Sequence, residues 1–155
     1  LNEPVLQQPD QPAQSTGPPV VGELESFKDS GYEIELQDGK PVIRLFSSSS
    51  CGYCNWVKET FEAVANEYVA EGKIVAYNWE FNSGDNLLSS EAETEVPANE
   101  RVIFEHFNPG GGVPTFVFGG RYYRIGVAYS AQDDLEAEAA DFRAVIEALL
   151  EEAGQ

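Results

Sequence analysis

The chain has 155 residues and a hydrophobic share of 42%, enough for one domain with its own core. Its 27 acidic and 9 basic residues leave a formal charge of −18, which repels phosphate backbones and argues against a nucleic-acid partner. No run approaches ~18 uninterrupted apolar residues, so no segment reads as a membrane span, and two cysteines are too few for a disulfide-stapled scaffold.

Residues 1–22 (LNEPVLQQPDQPAQSTGPPVVG) are rich in proline and glutamine and read as a linker, with the domain expected over 23–155. The chain has no methionine and opens at Leu1, so a processed signal or upstream membrane anchor is one expectation and a trimmed start another. A short helix is expected over Glu23 to Asp29, broken by Gly31, followed by an alternating strand from Tyr32 to Leu36. Pro41 to Ser47 (PVIRLFS) is a mostly apolar run that suits a buried central strand.

From Gly52 the period becomes helical, with Val57, Phe61, Val64, Ala65 and Tyr68 forming one stripe and Gly72 marking the end. Lys73 to Phe81 reads as a second strand, and strand–helix–strand in this spacing predicts a parallel βαβ unit. Asn82 to Asn99 is polar and acidic and reads as an insertion with one short helix. Helix is expected over Glu100 to Phe107, then an antiparallel hairpin of Val113 to Gly119 and Arg121 to Ile125 whose tyrosines, Tyr122 and Tyr123, face opposite sides. A last helix carries Leu135, Ala139, Phe142, Val145, Ile146, Leu149 and Leu150 on its buried stripe, with Ser130 and Asp133 as a capping pair. The predicted class is α/β: a central mixed sheet flanked by helices on both faces.

The segment FSSSSCGYCNW places Cys51 where a strand ends and a helix begins. Disulfide exchange needs a thiolate, and a free cysteine titrates near ~8.5; reaching about 7 takes roughly 2 kcal/mol of thiolate stabilisation. No basic residue lies between Arg44 and Lys58, so the free N–H groups and dipole of the helix terminus are expected to supply most of it. Cys54, one turn on, is placed to resolve the mixed disulfide that Cys51 forms. Gly52 and Tyr53 between them tune the couple, and Tyr53 and Trp56 can form an apolar rim for unfolded polypeptide. Three other readings stand beside this one. A zinc site lacks a second cysteine pair, leaving His106 and carboxylates; a structural disulfide closing so short a loop yields about 2 kcal/mol; two inert buried cysteines need a coincidence of position.

The strand PVIRLFS, the motif Cys51-Gly52-Tyr53-Cys54, the amphipathic helix and the distal Val113-Pro114-Thr115 together resemble the thioredoxin superfamily. The resemblance covers roughly Glu23 to Ala153. It implies the thioredoxin fold, a cis Pro114 packed against the redox pair, and a Val113 backbone offered to an extended substrate. Proline is also the residue that tolerates cis and suits the first position of a strand, where a trans proline is equally at home. Cys-Gly-Tyr-Cys is similar to the motif of DsbC-type isomerases, whereas valine before the proline is similar to DsbA-type oxidases. Departures from thioredoxin itself are Leu45, Ser50 and Glu59, which replace its buried aspartate, a tryptophan and a helix-kinking proline.

The resulting expectation is an extracytoplasmic, monomeric protein-disulfide oxidoreductase that needs no cofactor or metal. Its partners would be cysteine-containing polypeptides and a redox partner protein. A redox-inert module binding through its Pro114 face is the rival, and a metal- or copper-handling dithiol a third reading.

Overall fold

The structure, a computed structural model, describes residues 17–154; the expected linker falls outside the described residues up to position 16. Among the described residues ahead of Glu23, Pro18 is buried and the Val21 N–H donates to the Asp29 carbonyl.

Where a helix is expected over Glu23 to Asp29, the chain forms a hairpin of β1 (Gly22–Leu24) and β2 (Phe27–Asp29). Glutamate, leucine and lysine favour helix locally, but Glu25 turns the chain at a φ of 54° and Phe27 is wholly buried among Phe116, Phe118 and Phe142. Tertiary burial overrides a weak propensity. The strand expected from Tyr32 to Leu36 shrinks to β3 (Leu36–Gln37). Upstream of it Tyr32 stacks on His106, and Glu35 turns inward to Arg44.

The central strand is β4 (Lys40–Ser47), buried from Pro41 to Ser47. It leads into α1 (Gly52–Ala70), and β5 (Val75–Glu80) returns parallel to β4, completing the expected βαβ unit. The expected insertion has no helix of its own; it forms β6 (Asp85–Asn86) and irregular chain up to residue 97, and its last two residues already belong to α2 (Ala98–Phe107). The hairpin of β7 (Thr115–Phe118) and β8 (Tyr122–Ile125) follows, then α3 (Leu135–Glu152). Its N-cap is Asp134, which accepts from the Ala137 N–H, in place of the expected Ser130–Asp133 pair. The sheet is open and mixed, in the order β1-β2-β8-β7-β4-β5-β6, with β3 pairing the start of β4.

Both faces are covered. On one, α1 and α3 pack against Ile43, Leu45, Phe116, Phe118 and Tyr122; on the other, α2 packs against Phe46, Val117 and Tyr123. Tyr122 and Tyr123 thus face opposite sides, as alternation requires. From α3 alone Phe142, Val145, Ile146, Leu149 and Leu150 are buried, on the order of 10 kcal/mol of gross apolar stabilisation. The approach of α3 is close enough that a Cβ on Gly119, which turns the hairpin at a φ of 69°, would meet Leu149 at 2.7 Å. Among the described residues no helix is long and apolar enough to cross a membrane.

Candidate active site

β4 lies between parallel β5 and antiparallel β7, and the chain leaving its C-terminal end crosses directly to the start of α1. Cys51 is the N-cap of that helix, and its Sγ accepts the Cys54 N–H at 3.1 Å. A sulfur thus takes the position that a serine or aspartate oxygen usually fills, facing the free N–H groups of a helix 19 residues long. The first turn carries no acidic side chain to oppose a thiolate there. Cys51 and Cys54 are joined as a disulfide with Cα atoms 5.2 Å apart. Cys51 is half-buried, whereas Cys54 is 2% exposed. Solvent therefore reaches Cys51 and not Cys54.

The serines before Cys51 brace one another and the flanking elements. The Ser48 carbonyl accepts the Cys51 N–H, the Ser49 carbonyl accepts from Asn55 Nδ2, and the Ser49 N–H donates to Asn82 Oδ1. Asn55 and Asn82 are structural partners that inspection of the sequence did not single out. Arg44, the cation nearest in sequence before the pair, lends it no charge. Its guanidinium lies on the α2 face, donating to Glu35 at 2.6 and 2.9 Å and to Glu100 at 2.6 and 3.0 Å. Burial works against that charge, but the two carboxylates outweigh it and hold the guanidinium above its ordinary value.

The Val113–Pro114 peptide bond is cis, and Pro114 is buried. Cys51 Sγ lies 3.5 Å from the Val113 carbonyl oxygen, so the first sulfur and the segment before the proline are brought together. Among the described residues nothing bonds the Val113 N–H. The loop is held from beneath by Asn108, 4% exposed, which donates to the Gly112 carbonyl at 2.7 Å and to Thr115 Oγ1 at 2.9 Å. From the far strand, the Gly126 N–H donates to the Pro114 carbonyl at 2.7 Å.

A second wall comes from the chain between β8 and α3. Glu138, fully buried, accepts from Arg124 Nη2 at 2.6 Å and from the N–H groups of Ala128 and Tyr129 at 2.7 and 2.8 Å. Arg124 also donates to the Gly126 carbonyl and to Ser26, and its guanidinium lies over the Phe27, Phe116 and Phe142 rings. Burial draws that guanidinium below its ordinary value, with Glu138 opposing. Beyond this tether, Asp133 accepts the Trp56 indole N–H at 2.8 Å. Gly52 and Tyr53 are exposed beside Cys51, and Trp56 is half-buried against the α1–α3 core.

The geometry therefore gathers Cys51, Cys54 and Val113, with Pro114 next in the chain, and sets Gly52, Tyr53 and Trp56 along the adjoining side of α1. Asn108, Arg124 and Glu138 support these residues; a single buried charge in a helix stripe gives no periodic signal by which to find it. Among the described residues no group of three or more His, Cys, Asp or Glu side chains is arranged to hold a metal ion. A depression of about 640 Å³ near Lys73 and Glu147 lies at the opposite end of α1 from the sulfurs and is lined by no cysteine, serine, threonine or histidine. No family model matches the chain. The sheet order, the helices on its two faces and the position of the disulfide together define a thioredoxin-superfamily fold with a redox-active cysteine pair at a helix N-terminus.

Proposed function

We propose that the chain is a thiol–disulfide oxidoreductase that exchanges disulfides with protein cysteines. The observation that carries this reading is the asymmetry of the pair: Cys51 is accessible and capped by a backbone N–H, while Cys54 is buried one turn behind it. In the reducing direction the Cys51 thiolate attacks a substrate disulfide, forming a mixed disulfide and releasing one substrate thiolate. Cys54, deprotonated, then attacks the Cys51 sulfur, freeing the second substrate thiolate and leaving the pair oxidised. The oxidising direction is the reverse, and a redox partner protein resets the couple in either case.

The unpaired Val113 N–H and its carbonyl suit an extended substrate segment laid beside the loop, bonded as an added strand is. The same reading places the chain outside the cytoplasm, where disulfides persist, with a Pro- and Gln-rich stretch ahead of the domain and no further cysteines to mispair. The motif's resemblance to isomerases and the valine's to oxidases leave direction to the couple itself. A reduction potential near about −270 mV assigns a reductant and one near about −120 mV an oxidant.

The test is insulin reduction and scrambled-ribonuclease refolding with Cys51→Ser and Cys54→Ser. Cys51→Ser is expected to lose all activity, and Cys54→Ser to accumulate mixed disulfide. Full activity in Cys51→Ser refutes the assignment. In the reduced protein Cys51 is expected to alkylate well ahead of Cys54; equal, slow alkylation supports an inert binding module instead.

A further inference from the structure

Gly52, Tyr53, Trp56, Ser130 and Asp133 line a groove of about 460 Å³ immediately beside Cys51. We propose that this groove is a side-chain subsite that admits a lysine or arginine next to the reacting cysteine of a substrate polypeptide, a role that rests on the thiol–disulfide reading of the pair. Two of its residues, Gly52 and Tyr53, are the two between the cysteines. A side chain seated there therefore belongs to a residue adjacent to the one bonded to Cys51.

The lining has the chemistry of a cation site. Tyr53, 58% exposed, and Trp56 offer aromatic faces, and a guanidinium or ammonium over such a face is attracted by the ring quadrupole. Asp133 supplies the carboxylate. Its Oδ1 accepts the Trp56 indole N–H at 2.8 Å, which fixes both groups, while Oδ2 takes no hydrogen bond from any described residue. No described lysine or arginine pairs with it. Asp133 is exposed, so an apolar side chain in the groove gains nothing from that oxygen, and an acidic one is repelled by it. A basic side chain satisfies it and lays an aliphatic stem along the rings.

The backbone fixes where Asp133 sits. Asp133 adopts a φ of 49°, a conformation that costs a non-glycine residue about 1 kcal/mol. It is kept there by its N–H to the Ser130 carbonyl, by the Asp134 N–H to the Tyr129 carbonyl, and by the Glu138 tether upstream. The formal charge of −18 adds a long-range field that draws cationic polypeptide towards the domain.

Three peptides closed by one disulfide, with arginine, alanine or glutamate beside the first cysteine, separate the possibilities. The measured quantity is the rate at which each oxidises the reduced Cys51–Cys54 pair at low salt. The arginine peptide is expected to react up to about fivefold faster than the alanine peptide, the upper end of what one exposed ion pair supplies. Asp133→Asn, which tolerates the same backbone and still accepts from Trp56, should bring that ratio below about twofold. Glu105→Gln, on the exposed side of α2, removes an equal charge and should leave the ratio unchanged. Equal rates with all three peptides overturn the subsite and leave the redox reading intact. A ratio that survives Asp133→Asn, or falls equally with Glu105→Gln, assigns the preference to total charge and also overturns it. Failure of every peptide to oxidise the pair refutes the redox reading, and the subsite with it.

Discussion

Replacing Glu138 by alanine isolates the energetic weight of the tether behind the site. The Arg124–Glu138 pair is 2.6 Å long, with the two side chains 6% and 0% exposed. Removing one member of a buried pair strands the other charge, at about 3–5 kcal/mol. The Ala128 and Tyr129 N–H groups lose their acceptor too, but they belong to a partly exposed loop where water can replace it. That adds no more than about 1 kcal/mol. The expected loss is about 3–6 kcal/mol, a large part of the ~5–15 kcal/mol that stabilises an ordinary domain.

Glutamine cannot rescue it fully. If its oxygen faces the two N–H groups, its amide meets the guanidinium donor to donor; turned over, it meets the N–H groups the same way. Glu138→Gln should therefore still cost about 2–4 kcal/mol. The double change Arg124→Met with Glu138→Leu removes both charges and should cost less than Glu138→Ala alone. Urea unfolding of the oxidised protein measures this as a shift in midpoint at constant m. Because the pair is buried, the shift should be the same at low salt and at 1 M. A loss below about 1 kcal/mol for Glu138→Ala, or additive effects in the double variant, refutes the reasoning.

Asn108→Ala removes the bonds to Gly112 and Thr115 beneath the proline loop. About 2–3 kcal/mol of stability should be lost in urea unfolding, together with a slower reaction of Cys51 with peptide disulfides. Gly84→Ala places a methyl group against the Thr94 carbonyl at a φ of 78°; a cost of at least ~2 kcal/mol and faster proteolysis within 82–97 are expected. Burial, and then the bond to Glu152, pushes the Tyr122 hydroxyl up to about 12. An acid whose folded value is raised stabilises the fold in full below its unfolded value of ~10 and loses that contribution as pH rises through about 12. The melting temperature should fall over that window, and fall less in Tyr122→Phe.

The elements legible in the sequence are those whose signal is local and repeated. The α1 stripe of Val57, Phe61, Val64, Ala65 and Tyr68 is buried as its period requires, and the run from Pro41 to Ser47 is the central strand. The redox pair was legible because a two-residue spacer at a strand–helix junction is itself the chemical signal. Illegible features depend on distant partners. Nothing near Phe27 announces that three aromatic rings from β7 and α3 hold it in a strand. Nor does the PVIRLFS run announce that Arg44 is clamped by carboxylates on either side of it in sequence, one of them 56 positions away. Asp134 displaced the expected cap because the loop before α3 is shaped by Glu138 and Trp56, not by its own sequence alone.

The Glu138 tether also orders events in time. Synthesis runs from the N-terminus, so β4, both cysteines and α1 emerge long before α3 is made. A chain stopped between residues 55 and 137 contains the two sulfurs, yet it lacks the carboxylate that holds the Ala128 and Tyr129 N–H groups of the loop that walls them. The nucleophile is present early and its groove is completed last. A nascent copy thus has a cysteine pair without a finished surface on which to hold another chain, and selectivity for a partner arrives only with the final helix.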